Sequence, residues 1–211
     1  MPDSVTSCCQ SWVRRSAANA APRPSAQPST HTPCSASRNQ LALPEVTGLS
    51  NVCQARSVDT LYEPAWQRYQ YHYLRINGEF SAVYPGVVEG LAILKSMRLP
   101  MACLTNKPTA FAVPLLRSKG LDPFFDCVFG GDAFERKKPD PLPLRKTCEA
   151  LGTEPARTLM VGDSSNDAQA ARAAGCPVVL VTYGYNHGQP VRDVDADGWV
   201  EALHELVPAT A

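Results

Sequence analysis

From about residue 100 onward, short apolar runs alternate with longer stretches in which apolar residues recur every three or four positions. The short runs lack polar alternation, which predicts strands buried on both faces, and the intervening stretches predict amphipathic helices. The predicted strands lie at 101–106, 127–131, 158–163 and 177–184, and the predicted helices at 109–119, 141–151, 167–174 and 199–206. This alternation predicts an α/β fold, a Rossmann-like parallel sheet with helices on both faces.

Two further helices precede this region, but the start of the chain has no comparable pattern. "LYEPAWQRYQYHYLRI" (61–76) predicts a helix with an aromatic face, and "VVEGLAILKSM" (87–97) predicts an amphipathic one. Residues 1–50 contain nine Ser, six Pro and seven Ala but only two acidic residues and one aromatic residue. Such a composition buries too little apolar area to offset the entropy lost on ordering. We therefore expect a disordered or non-native segment at 1–58, a helical segment at 59–82 and an α/β core at 83–211.

The balance of charges and the pattern of cysteines indicate which binding partners and which cellular location to expect. Twenty basic and twenty acidic residues cancel, so nothing indicates nucleic acid or an anionic membrane as a partner. No run of about 18 apolar residues predicts a membrane span. The eight cysteines form neither a CxxC pair nor a Cys/His zinc pattern, which favours reduced thiols and a cytoplasmic location. The pattern does not indicate an oligomeric state.

Polar side chains follow three of the predicted strands, at the edge where parallel sheets bind ligands. Thr105 and Asn106 precede a helix start, whose free N–H groups suit an anion. Lys138 is a point charge held between a turn and a proline-stiffened segment. Asp163 and Asp167 suit a hard cation such as Mg²⁺. Each signal alone is weak, because Thr, Asp and Gly also occur as ordinary caps and turns; together they predict one pocket for phosphate and Mg²⁺.

The chain from about residue 80 resembles the haloacid dehalogenase superfamily, and within it the bacterial phosphoglycolate phosphatases. The motifs that carry the resemblance are "VYPGV" (83–87), "LTNKP" (104–108), "KKPDPLPL" (137–144), "VGDSSNDAQAARAAG" (161–175) and "TYGYN" (182–186). The resemblance implies that Thr105 and Asn106 bind the transferring phosphoryl group and that Lys138 neutralises its charge. It implies Mg²⁺ at Asp163, supported by Asp167, with 2-phosphoglycolate as the small phosphorylated substrate and a role in carbohydrate metabolism.

The same resemblance implies a nucleophilic Asp in a DxDGT motif after an amino-terminal strand, and the sequence has no such motif. Before residue 80 the only aspartates are Asp3 and Asp59. The DxDG at 195–198 follows no buried strand, and we interpret it as the first turn of the last helix. As a calcium loop beginning at Asp193 it fails, because His204 stands where a bidentate Glu is required.

We therefore expect the fold to lack its usual first central strand and most of the helical cap, of which 59–82 would be a remnant. "LALPEV" (41–46) is a poor replacement, because Pro44 removes a ladder donor. Our hypothesis is that residues 1 to about 55 arise from a frameshift, a misjudged start or a recombined gene. The encoding DNA, read upstream and in the other two frames, tests it: without a DxDGT there, the hypothesis is wrong.

Three functions remain open at this stage. The first is Mg²⁺-dependent hydrolysis of 2-phosphoglycolate to glycolate and phosphate. The second is a catalytically inactive phosphate-binding protein, which the missing nucleophile favours. The third is a phosphatase of the same superfamily that acts on another small phosphomonoester. Tyr183, Tyr185 and His187 lie past a predicted strand end, and we expect packing or surface roles for them.

Overall fold

The computed structural model describes residues 4–7, 13–15 and 58–207. The described strands of the main sheet are β1 (Ser4–Ser7), β4 (Met101–Leu104), β5 (Cys127–Phe129), β6 (Thr158–Gly162), β7 (Val178–Val181) and β8 (Gly198–Val200). These six strands are parallel and lie in the order β5-β4-β1-β6-β7-β8. A second, two-stranded sheet pairs β2 (Val13–Arg15) antiparallel with β3 (Ser81–Val83). The predicted parallel α/β architecture is confirmed.

The predicted absence of the first central strand is wrong. β1 occupies an interior slot, where Val5 lies opposite both Met101 of β4 and Leu159 of β6. Its sequence, Ser-Val-Thr-Ser, contains a single apolar residue, but the two flanking strands supply partners for its backbone groups, and such tertiary context decides strand formation more than the local sequence does. The Val5 side chain is buried in the core. Disorder is therefore also wrong for the described residues before 58 that form β1 and β2, whereas "LALPEV" lies outside the described residues.

Helices cover both faces of the main sheet and create two apolar clusters. The helices of this part of the chain are α2 (Val87–Ser96), α3 (Thr109–Ser118), α4 (Leu142–Leu151) and α5 (Ser165–Ala174). Neighbouring strand residues point to opposite clusters: Cys103 and Val161 pack with α2 and α3, whereas Leu104 and Met160 pack with α4 and α5. Strands buried on both faces explain why their sequences show no polar alternation.

The predicted last helix at 199–206 is wrong. Residues 198–200 form β8 at the sheet edge, and only Leu203–Leu206 form a short 3-10 helix. The segment 195–198 is thus the approach to a strand, not a helical turn. Arg172 donates to the Asp195 and Asp197 carboxylates, and Asp197 also accepts the Val178 N–H at 2.7 Å. These contacts align β8 with β7.

The chain divides into two compact units, Met1–Ala17 with Ile76–Ala211, and Ala18–Arg75. The described part of the second unit is nearly all of α1 (Val58–Ile76). The Trp66, Tyr69 and Tyr73 rings stack along α1 with centroid separations of 5.4 and 5.5 Å, so the predicted aromatic face is confirmed. Within the described residues, no helix is both long and apolar enough to cross a membrane.

Candidate active site

The loops after β4, β5, β6 and β7 meet at one edge of the main sheet, because the strands are parallel. Thr105 directly follows β4, and Asp163 directly follows β6. β1 lies between these two strands. The residues that the sequence places at strand ends therefore flank the carboxyl end of the interior strand.

Lys138 joins the two sides of this edge. Its ammonium group donates to the Leu104 carbonyl at 2.9 Å and to Asp167 Oδ1 at 2.7 Å. The side chains of this ion pair are only 2% and 1% exposed. Lys138 thus links the residue before Thr105 to the first turn of α5, next to Asp163. The structure brings Thr105, Lys138 and Asp163 together as expected, and their individual roles stay predictions.

The Asn106 side chain holds the backbone of Lys138 in place. Its Nδ2 donates to the Lys138 carbonyl at 2.7 Å, and its Oδ1 accepts the Lys138 N–H at 3.0 Å. Both polar groups of the amide therefore have partners within the protein. A direct contact from this side chain to substrate stays a prediction, whereas its positioning of Lys138 is observed.

The start of α3 differs from the sequence-based expectation of free N–H groups. The Thr109 N–H is donated to Asp132 Oδ1 at 2.8 Å, and the Thr109 hydroxyl donates to the same oxygen at 2.5 Å. The anion at this helix start is thus a carboxylate of the chain itself. Thr105 is buried, and its Oγ1 accepts the Lys107 N–H at 3.1 Å.

Asp167 is fully surrounded by hydrogen-bond donors. Its Oδ2 accepts the Asp163 and Ser164 N–H groups at 3.1 and 3.2 Å and the Ser164 hydroxyl at 2.8 Å, while Oδ1 accepts from Lys138. Burial by itself would raise the pKa of Asp167, but the Lys138 charge and these donors outweigh it and hold the pKa below its ordinary value. These contacts show Asp167 orienting Lys138 and the start of α5. Its support of a metal stays a prediction.

Asp163 has the opposite electrostatic character. It is 2% exposed, and its Oδ2 accepts the Tyr185 N–H at 3.2 Å. Burial, together with the neighbouring Asp167 charge, raises the pKa of Asp163 to about 7. The Lys138 charge offsets this rise only in part, and a buried carboxylate of this kind suits Mg²⁺, which is commonly held by one or two carboxylates plus waters and substrate phosphates. Within the described residues, no three His, Cys, Asp or Glu side chains form a group that could hold a metal ion.

The loop after β7 contributes contacts that sequence reasoning missed. Asn186 is 7% exposed; its Oδ1 accepts the Ser165 N–H at 2.9 Å and its Nδ2 donates to the Gln189 carbonyl at 3.3 Å. These bonds fix the loop against α5 while Tyr185 contacts Asp163. The Ser164–Asp167 spacing resembles a capping box and offered a signal for this helix start, but contacts separated by about twenty residues leave no local pattern.

The aromatic residues of this loop divide between packing and surface, as expected. Tyr183 packs against Tyr84 with ring centroids 4.6 Å apart, and both rings lie against the core. Tyr185 is exposed and contacts the His187 ring edge-on. A catalytic role for any of them has no support in these contacts.

Gly184 is expected to tolerate no side chain. A Cβ at this position would lie 2.1 Å from Asp163 Cβ, so Gly184→Ala must displace either the loop or the carboxylate. We expect this change to lower the free energy of unfolding by about 1–3 kcal/mol, as for other overpacked sites. Urea unfolding measures it. Gly198→Ala is the matched control, because its Cβ would meet nothing closer than 3.9 Å; equal unfolding midpoints for the two variants would contradict the prediction.

Comparison with known proteins gives a consistent result. Residues 36–175 match the family of haloacid dehalogenase-like hydrolases; this range begins before residue 58, where composition placed the boundary. The chain is 48% identical over 157 residues to phosphoglycolate phosphatase of Thiobacillus denitrificans, covering 74% of this chain and 69% of the relative. It is 47% identical to phosphoglycolate phosphatase of Nitrosospira multiformis, covering 69% of this chain and 61% of the relative.

A solved structure is also similar to the chain. The crystal structure of a predicted phosphoglycolate phosphatase from Haemophilus somnus aligns with a TM-score of 0.68 and 32% identity, over 76% of this chain and 72% of that protein. The chain thus spans 61% to 69% of the length of the two curated relatives. The chain shares its fold with this solved structure.

Proposed function

The chain belongs to the haloacid dehalogenase-like hydrolase family, and we propose that it is a Mg²⁺-dependent phosphatase that hydrolyses 2-phosphoglycolate to glycolate and phosphate. The observation that carries the proposal is the buried Lys138, fixed between the Leu104 carbonyl and Asp167 beside the buried Asp163. The positive charge and the buried carboxylate at one edge of the sheet support a site for phosphate and a metal ion. The substrate assignment rests on the similarity to phosphoglycolate phosphatases.

In this proposal each of the residues at this edge of the main sheet has a separate role. Thr105 and the Lys138 ammonium contact the phosphoryl oxygens, and Asn106 keeps the Lys138 backbone in register with Thr105. Asp163 holds Mg²⁺, and Asp167 orients Lys138. Bound Mg²⁺ would offset phosphate charge, and the preorganised ammonium of the buried Lys138 would add to that effect. The cysteine spacing, which contains neither a CxxC pair nor a Cys/His zinc pattern, favours a cytoplasmic location, which cell fractionation tests.

A second candidate function follows from the missing nucleophile. β1 occupies the slot of the family's first strand, but the sequence after Ser7 reads Cys8-Cys9-Gln10, and the next aspartate is Asp59. A chain that keeps the lysine and the metal-binding carboxylate but lacks the nucleophile would bind phosphate without turnover. This candidate is a phosphate-binding or regulatory protein.

A turnover assay separates the candidates. The purified chain is incubated with 2-phosphoglycolate and with a sugar monophosphate, in Mg²⁺ and in EDTA, and phosphate release is measured. We expect Mg²⁺-dependent release from 2-phosphoglycolate that exceeds release from the sugar phosphate. Phosphate release from the sugar phosphate alone would indicate that the substrate is a phosphomonoester other than 2-phosphoglycolate. No release from either, combined with calorimetric binding of inorganic phosphate, would refute the enzyme and support the second candidate.

A further inference from the structure

Asp132 lies outside every motif that indicated function, yet it contacts the helix that follows Thr105. It belongs to the loop after β5, and its side chain accepts two hydrogen bonds from Thr109, the first residue of α3. The N-cap residue of α3 is Pro108, which makes no side-chain cap. The capping carboxylate therefore comes from a distant part of the chain instead of from the N-cap residue.

The backbone of the same loop lies directly against the segment that carries the phosphate-binding residues. The Gly131 N–H donates to the Lys107 carbonyl at 2.9 Å. A Cβ on Gly130 would lie 2.4 Å from the Thr109 nitrogen, and one on Gly131 would lie 2.2 Å from the Asn106 carbonyl oxygen. Only glycine permits this approach, because any side chain would overlap the backbone of 106–109.

The segment 105–109 is thus fastened at two points by one loop. At one end Asp132 and Gly131 hold Thr109 and Lys107, and at the other end Lys138 pairs with Asn106. The hydrogen bonds from Thr109 hold the pKa of Asp132 below its ordinary value, so the carboxylate stays charged at neutral pH. The negative charge of Asp132 also lies near the positive end of the α3 helix dipole, which is a stabilising arrangement.

We propose that Asp132 is a positioning residue for phosphate binding: it fixes the segment 105–109 so that Thr105 and Lys138 face the phosphoryl group together. The inference rests on the proposed function, because a site that binds no phosphate has no such geometry to maintain. Asp132 acts through Thr109 and touches no substrate itself. It determines geometry through the bonds that its Oδ1 accepts, so an amide oxygen in the same place should serve nearly as well.

The test compares three variants. Asp132→Ala removes both hydrogen bonds, whereas Asp132→Asn keeps an oxygen that can accept them. Asp126→Ala is the matched control at the opposite end of β5: Asp126 is also exposed and accepts one backbone N–H, from Met101 at 2.8 Å, and one side-chain donor, Lys95 at 3.0 Å. It lies away from the edge that carries Thr105.

The first measurement is amide hydrogen exchange, which reports local opening and needs no ligand. We expect Asp132→Ala to speed exchange at Thr109 and Lys107 by about tenfold, the effect of losing a typical helix cap. Asp132→Asn should restore most of the protection, and Asp126→Ala should leave these two amides unchanged. Unchanged exchange in Asp132→Ala, or equal acceleration in Asp126→Ala, would overturn the inference.

The second measurement is the Kd of inorganic phosphate with Mg²⁺ present, by calorimetry. We expect Asp132→Ala to weaken binding about tenfold, with recovery in Asp132→Asn and no change in Asp126→Ala. An unchanged Kd in Asp132→Ala despite faster exchange would overturn the positioning role. If the unaltered chain binds no phosphate, the proposed function fails and the positioning role fails with it; the exchange data then still decide whether Asp132 anchors the segment.

Discussion

Replacing Lys138 by methionine is expected to lower the free energy of unfolding by about 3–5 kcal/mol, the usual cost of removing one partner from a buried ion pair. Lys138 and Asp167 are both almost completely buried and lie 2.7 Å apart. The variant leaves the Asp167 charge without its cation and the Leu104 carbonyl without its donor. Urea unfolding of the purified chain measures the loss, and phosphate binding should fall with it.

The chain contains a matched control for this prediction. Lys146 and Glu149 are also 2.7 Å apart, but their side chains are 46% and 64% exposed. Because water screens such a pair, Lys146→Met should change the free energy of unfolding by no more than about 0.5 kcal/mol. If the two methionine variants lose the same stability, burial of the Lys138–Asp167 pair is not what makes it important.

The pH dependence of the Lys138→Met variant gives a second readout. In the unaltered protein the Asp167 pKa lies below its ordinary value of 3.8, so the stability from this group is present above that value and is lost only in stronger acid. Without Lys138, burial should raise the Asp167 pKa instead. The protonated carboxyl is then favoured in the folded state, so the stability deficit should shrink from pH 8 to pH 5. A deficit that is constant with pH would contradict this account.

Asp163→Asn is expected to abolish the response to Mg²⁺ while stabilising the metal-free protein. Burial and the Asp167 charge raise the pKa of Asp163 from 3.8 to about 7, so its ionisation destabilises the metal-free fold by up to about 4 kcal/mol at neutral pH. The sign follows from linkage: stability from this group is full below about pH 4 and falls until about pH 7. Asparagine keeps an acceptor for the Tyr185 N–H without the charge.

Thermal unfolding with and without Mg²⁺ checks this prediction. Magnesium should raise the Tm of the unaltered chain, because a ligand that binds only the folded state stabilises it, and should leave the Tm of Asp163→Asn unchanged. Asp195→Asn is the control, since that carboxylate is exposed and bound by Arg172. If the Mg²⁺-dependent rise in Tm disappears in Asp195→Asn and persists in Asp163→Asn, the prediction is wrong and the cation binds at the 193–197 segment.

The sequence predicted those parts of the fold and site that follow from repetitive local patterns. Strands buried on both faces and amphipathic helices each have a distinct period, and parallel strands bring Thr105, Lys138 and Asp163 to one edge whatever their separation in the chain. The family assignment, which rests in the sequence on motifs such as "LTNKP" and "VGDSSND", is likewise confirmed.

The features that the sequence did not predict share one physical cause: contacts with residues distant in the chain determine their local structure. β1 contains a single apolar residue, Val5, and forms because two ladders lie on either side of it. The segment 198–200 has apolar spacing compatible with a helix, but Asp197 and Arg172 fix it as a strand beside β7. Asp132 and Asn186 gained their roles from contacts about twenty residues away, which no window along the sequence can reveal.

The interior position of β1 also has a consequence for how the chain is made. Ser4–Ser7 leave the ribosome before either neighbour exists, and β6 is completed only on the order of 150 residues later. At about 5–20 residues per second, the strand waits roughly 8–30 s for its second partner. The two pairings of this interior strand thus close at different times during synthesis, and until β6 appears the second edge of β1 is available to chaperones or to other nascent chains.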